Sequence, residues 1–223
     1  MKYGLQIGLK FNQDGSPKKY PGNTVIADVN PDNPAYPVIR GLRGILEEGE
    51  LGRCYIFLPE DSYHVTIIRG LNDYVRDAAF WPAGLPADLP MEQVDDYFVS
   101  RAGAVEVPEG IHMRFSHVRI DDHDVRICLE PWDPQEETRL RRYRDEVASR
   151  LGLWLPGHDT YTYHITLAYM RTIPEGDCCR EQERRVSRMD ACLKNQDGFF
   201  LSSPRIAFYD DMLRFESQRI PRV

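Results

Sequence analysis

Ser62-Tyr63-His64-Val65-Thr66-Ile67 returns 100 positions later as Thr162-Tyr163-His164-Ile165-Thr166-Leu167. In an extended chain successive side chains alternate faces. Ser62, His64 and Thr66 would then share one face of a strand, and Thr162, His164 and Thr166 one face of another. Tyr63, Val65 and Ile67 would fill the opposite, apolar face of the first copy, and Tyr163, Ile165, Leu167 and Tyr169 that of the second. Each copy reads as a strand with its back on a core and an imidazole beside a hydroxyl on its open side. Two such strands predict one site assembled from two similar half-sites.

Working outward, the flanking elements repeat as well. Before the first motif, residues 24–29 read as a strand. Asn33-Pro34 is a helix start for the apolar positions Val38, Ile39, Leu42, Ile45 and Leu46, with Gly49 as the stop. Residues 54–58 then form a short apolar strand. Before the second motif, residues 113–120 and 125–129 flank Asp121-Asp122-His123-Asp124, a hairpin turn by composition. Asp133-Pro134-Gln135-Glu136 opens a helix with Leu140, Tyr143, Val147 and Leu151 on one face, and Gly152 closes it. Both halves run from a helix back to a strand carrying His-x-Thr.

Three stretches lie outside this repeat. Leu5, Ile7, Leu9 and Phe11 alternate ahead of Asp14-Gly15 and predict an opening strand. Residues 72–90 hold Pro82, Pro86 and Pro90 with Phe80 and Trp81, and read as an elaborated connection leading to a short helix at Met91, Val94 and Phe98. A helix over 180–194 precedes a terminal hairpin, 206–209 and 212–216 about the turn Asp210-Asp211. The expected organisation is one bilobal domain over 1–223, with lobe 1 over 20–70, lobe 2 over 110–216 and the connection over 71–104.

With 223 residues, 42% apolar and 28% charged, the chain has the composition of a soluble globular protein and enough length for a sizeable core. No run approaches the ~18 apolar residues of a membrane span. The opening Met1-Lys2-Tyr3-Gly4-Leu5-Gln6 lacks the apolar stretch of a secretory signal, so a cytoplasmic location and no membrane partner are expected. The net charge of −7 disfavours long duplex nucleic acid as a partner. The five cysteines, Cys54, Cys128, Cys178, Cys179 and Cys192, are odd in number, lack C-x-x-C spacing and read as reduced thiols, with Cys54 and Cys128 inside strands and the pair Cys178-Cys179 as exposed bystanders. A redox role for Cys178-Cys179 stays open.

Imidazole titrates near ~6.5, so modest differences in environment hold one histidine neutral and another protonated at neutral pH. Phosphodiester cleavage needs both forms, one on each side of phosphorus, because the attacking and leaving oxygens lie roughly in line. A threonine two residues on can donate its hydroxyl to a non-bridging oxygen, and two such hydroxyls hold the phosphoryl group without a metal. A lone His-x-Thr carries little information, since threonine is a common strand residue. The repetition is what points to chemistry.

The paired motifs resemble those of the two-histidine (2H) phosphoesterase superfamily, which includes 2′,3′-cyclic phosphodiesterases and 2′-5′ RNA ligase-like proteins. Lys10-Phe11, Pro21-Gly22-Asn23-Thr24-Val25 and Phe57-Leu58-Pro59 ahead of the first motif are similar to a poorly characterised, mainly bacterial branch. The resemblance implies an α+β fold, bilobal, with two antiparallel sheets and flanking helices related by an approximate two-fold around a central cleft. It implies metal-independent hydrolysis of a small cyclic phosphate or an RNA end, with no cofactor and no metal site. His64 and His164 become the acid/base pair, in either order, and Thr66 and Thr166 the substrate-binding hydroxyls. A monomer is expected. A 2′-5′ RNA ligase-like end-repair enzyme and a non-catalytic nucleotide-binding module stay as alternatives.

Other candidates carry less. A base-stacking aromatic is common in the superfamily, but Tyr55, Phe57, Trp81, Tyr169 and Phe208 are not ranked by sequence. Arg69 and Arg171 follow the two motifs and read either as added positive charge near the cleft or, the preferred reading, as surface residues ending strands. His112, His117 and His123 fall close together, yet two would point to opposite faces and one lies in a turn, which does not suit a metal. His158 reads as a rim residue. Phosphate-binding-loop, dinucleotide-binding and serine-esterase motifs are missing from the sequence.

Overall fold

The computed structural model describes residues 2–218; Met1 and residues 219–223 of the expected 1–223 domain lie outside them. In chain order the elements are β1 (Gly22–Asp28), α1 (Ala35–Glu47), β2 (Tyr55–Phe57), β3 (His64–Asn72), α2 (Met91–Ala102), β4 (Ile111–Ile120), β5 (Asp124–Pro131), α3 (Pro134–Leu151), β6 (Tyr163–Met170), α4 (Asp177–Leu193), β7 (Phe199–Leu201) and β8 (Arg205–Tyr209). The helices form where the local signals stand. The Asn33 side chain accepts from the Ala35 N–H at 2.9 Å, and Ala35, Ile39, Leu42, Ile45 and Leu46 are buried along one face of α1. The Asp133 carboxylate caps α3 at the Glu136 N–H, 2.8 Å, and Gly152 at φ 63° closes it in the left-handed region. Glu136 does not complete a capping box; its carboxylate takes the His112 N–H and the Arg139 guanidinium instead.

The strands form one antiparallel sheet in the order β7-β4-β5-β6-β3-β1-β8, with β2 pairing to β6. The resemblance implied two sheets. Here the hydrogen bonding is continuous: the two motif strands meet through the single register pair Val65↔Ile165, and β2 adds Tyr55, Ile56 and Phe57 opposite Met170, Tyr169 and Ala168 of β6. The side chains of Val65 and Ile165 are fully buried and β-branched. Pairing there closes two strand edges that separate sheets would leave open.

The registers on either side of that junction match. On β1 and β3, Thr24, Val25, Ile26, Ala27 and Asp28 face Arg69, Ile68, Thr66, Val65 and His64. On β5 and β6, Asp124, Val125, Arg126, Ile127 and Cys128 face Tyr169, Ala168, Thr166, Ile165 and His164. Adding 100 to every number of the first set gives the second. In both ladders one residue just past the threonine, Ile67 or Leu167, is extra, which makes a β-bulge. A bulged residue leaves the ladder and its carbonyl needs another donor. Arg144 of α3 donates to the Ile67 carbonyl, and the Leu58 N–H donates to that of Leu167 at 3.0 Å.

Residues 5–11 are not the expected strand. Gly8 sits at φ 89°, and the Lys10 N–H folds back onto the Gln6 carbonyl at 2.9 Å, so the segment turns repeatedly. Phe11, fully buried, anchors it. The expected terminal hairpin reduces to β8 and one bridge, Phe208↔Glu216. Short β7 pairs with β4 and has no counterpart in the sequence reading. The connection after β3 is held by Arg76, which donates to the Ala87 and Leu89 carbonyls and lies over Trp81. Among the described residues no helix is long and apolar enough to cross a membrane.

Candidate functional site

One cleft of about 570 Å³ is lined by His64, Thr66, His164 and Thr166 together. The junction pair explains why. Val65 opposite Ile165 puts His64 beside Thr166 and Thr66 beside His164, and neighbours across a ladder point to the same face. The four side chains therefore stand as a four-cornered set on one face of the sheet, each imidazole beside the other strand's hydroxyl. The imidazoles take one diagonal and the hydroxyls the other.

Each ring is oriented by its own strand. His64 Nδ1 lies 2.7 Å from the Ser62 carbonyl, and His164 Nδ1 lies 3.0 Å from that of Thr162. A carbonyl only accepts, so Nδ1 carries the proton in both rings and Nε2 is the nitrogen left for the cleft. Burial pushes the His64 imidazole down to about 4, against the raising effects of the Ser62 carbonyl and Asp28. The Phe215 ring, 4.3 Å from that of His64, contributes to this dry surrounding. Burial also lowers His164, opposed by the Thr162 carbonyl and by the Asp124 carboxylate. Asp124 is raised by its own burial and engaged by Arg126 at 2.6 Å.

Residues 10–123, just over half of the chain, match the family model named 2H-phosphodiest, described as "Domain of unknown function (DUF1868)". The chain belongs to this 2H phosphodiesterase family. The solved structure of the conserved protein of unknown function ATU0111 from Agrobacterium tumefaciens str. C58 is similar to this 2H protein: 23% identical, over 97% of this chain and 92% of that one, with a TM-score of 0.83. That likeness is one of fold. TT0787 of Thermus thermophilus aligns at 12% identity over 84% of this chain and 85% of that one, with a TM-score of 0.45. No curated protein matches the sequence.

The bulges bring further residues of the 2H chain to the cleft. An extra residue shifts the alternation of faces by one, so Arg69 and Tyr169, a matched pair under the 100-residue offset, both turn inward and line the cleft. Tyr169 is thus not on the core-facing side that strict alternation predicts, and Arg69 is more than a surface residue. Arg171 does stay away, donating to the Gln13 carbonyl. Of the aromatic candidates only Tyr169 lines the cleft. Tyr55 binds Gln182, Phe57 lies under Arg43, Trp81 donates to Leu85 and Phe208 is buried in β8. Tyr20, Tyr161, Tyr209 and Phe215 line it instead, with Gln6 and Lys10 from the N-terminal segment and Asp124 and Arg126 from β5. The offset itself was the available signal for position 69; the others arrive through tertiary folding.

The remaining histidines are dispersed. His112 stacks between Trp132 and Phe200, His117 meets Ser116, and His123 meets Gln6 at the cleft edge. His158 pairs with Asp145 at 2.8 Å outside this cleft. Cys128 is buried, Cys54 half-buried, and Cys178, Cys179 and Cys192 are exposed.

Proposed function

We propose that this chain is a metal-independent phosphodiesterase that hydrolyses a small cyclic phosphate or an RNA-end phosphodiester by general acid/base catalysis. His64, the more strongly desolvated imidazole, takes a proton from water at Nε2. The water oxygen bonds to phosphorus as the bond to the ribose oxygen breaks, and His164, kept more basic by Asp124, gives that oxygen its proton. Thr66 and Thr166 donate to the non-bridging oxygens. Placing the two histidines on a diagonal suits in-line displacement, because each reaches the phosphorus from its own side. The observation that carries the reading is the junction pair, which gathers both His-x-Thr units into one cleft. The matching registers of β1–β3 and β5–β6 support two halves related by an approximate two-fold within one domain and joined by the 71–104 connection, with β8 crossing to pair with β1 and β2 crossing to pair with β6.

The test is incubation with 2′,3′-cyclic nucleotides and RNA bearing cyclic ends, with chelator present, followed by separation of products. Ring-opened monoesters are expected, and His64→Ala or His164→Ala should each lower kcat by about 10²–10⁴. Joined RNA strands would favour the ligase alternative. Binding without turnover would favour a non-catalytic module, and turnover retained in either variant defeats the assignment.

A further inference from the structure

The cleft holds more positive charge than one phosphodiester needs. Lys10 and Arg69 both line it, and among the described residues neither forms an ion pair with a carboxylate. The carboxylate near Lys10 is that of Asp124, and it is already engaged by Arg126. Arg126 in turn also binds Asp121 at 2.7 Å. Lys10, Arg69 and Arg126 thus outnumber Asp124 in the cleft of a chain whose net charge is −7.

The Lys10 ammonium is held by construction. Its backbone is fixed on both sides, N–H to the Gln6 carbonyl and carbonyl from the Lys18 N–H, each 2.9 Å, next to the buried anchor Phe11. Its Nζ lies 5.2 Å from the Tyr20 ring centre and 5.8 Å from that of Tyr169. Arg69 lies over the Phe80 ring at 5.2 Å and lines the cleft. Burial and the Arg69 charge together push Lys10 down to about 8, a cost that an anion in contact would reverse. Close by, the Gln6 side-chain oxygen is buried with no hydrogen-bond partner. A buried acceptor and two unneutralised cations at one place fit a ligand that brings both a negative group and a donor.

We propose that Lys10 and Arg69 bind a second phosphate of the substrate, distinct from the scissile one at the His-x-Thr pair. The proposal rests on the phosphodiester reading of the cleft and narrows it to nucleotides carrying an additional phosphate. The buried rings of Tyr20 and Tyr169, packed on Tyr74 and Phe11, hold the ammonium at the cleft wall for that phosphate.

Calorimetric titration at pH 7 with adenosine 2′,5′- and 3′,5′-bisphosphate, against adenosine 2′- and 3′-monophosphate, tests it without requiring turnover. At least one bisphosphate should bind tenfold or more tighter than its monophosphate. Lys10→Met and Arg69→Met should each cut that ratio threefold or more, and Lys10→Arg should restore most of it. Equal affinities in the unmodified protein, or substitutions that weaken mono- and bisphosphate by the same factor, overturn the subsite. If the ratio behaves as stated but no cyclic substrate is opened, the hydrolytic assignment fails while the subsite stands.

Discussion

Val65 stands opposite Ile165, so the residue that follows each histidine faces its own counterpart across the sheet junction. A one-residue slip at this pair would turn one strand over relative to the other, sending one histidine and its threonine to the core side while the other pair stayed in the cleft. Burying both apolar side chains completely is what holds the register. The geometry of the cleft and the packing of the core are therefore the same constraint on this strand pair.

The two depressed imidazoles set the direction of the pH dependence. Under the proposed mechanism the productive free protein has His64 neutral and His164 protonated. The rising limb of kcat/KM should follow His64, at about 4, and the falling limb His164, which lies below the ordinary 6.5. Activity should then be bell-shaped, centred on the acid side of 6.5, and should decline as pH rises through neutrality. A profile measured from pH 3.5 to 9 checks this, with stability followed in parallel. A bell centred above 7 would contradict the assignment.

Asp124 is the carboxylate that opposes the depression of His164. Asp124→Asn removes a raising influence, so the falling limb should move to lower pH while the rising limb stays. On the order of tenfold should be lost from kcat/KM at pH 7, with a smaller loss near pH 5. A uniform loss at every pH would mean that Asp124 serves only to hold Arg126.

Phe215 packs on the His64 ring from the segment after β8, and the rest of that segment is tied down by its own contacts: the Arg205 guanidinium donates to the Phe215 carbonyl at 3.1 Å. Phe215→Ala should keep that backbone bond and admit water to the imidazole. With desolvation relieved, the His64 midpoint should rise from about 4 towards the ordinary value. Titration of the ring protons by NMR reads this directly, and an unmoved midpoint would place the cause of the depression elsewhere.

How far these features can be read without coordinates depends on how local their cause is. The two hexapeptides, the helix starts at Asn33-Pro34 and Asp133-Pro134, and the stop at Gly152 are legible because a few adjacent residues determine them. The bulges at Ile67 and Leu167 are not, since an extra residue exists only relative to the partner strand. Strict alternation accordingly sends both Tyr169 and Arg69 to the core face, away from the cleft they line. Alternation in residues 5–11 imitates a strand, but Gly8 turns the chain there and carries Lys10 into the cleft. Phe215 reaches His64 from about 150 positions away, which no periodicity encodes.

Arg144 connects the hidden bulge to the site. Buried in α3, its guanidinium donates to the carbonyls of Ile67 and His158 and lies 4.1 Å over the Tyr161 ring. Tyr161 in turn donates its hydroxyl to the Thr66 carbonyl at 2.9 Å. Arg144→Ala leaves the bulged carbonyl unsatisfied in the interior and opens space beneath Tyr161, which together should cost roughly 3 kcal/mol in urea denaturation. Arg144→Lys keeps a charge and one donor but not the fork, so it should fall between the two. Because Thr66 loses its support, kcat of the alanine variant, measured well below its melting temperature, should drop about tenfold with its pH profile unshifted. Full stability in Arg144→Ala would show that the bulge holds without this bond, and a shifted profile would mean that Arg144 acts on the histidines rather than on Thr66.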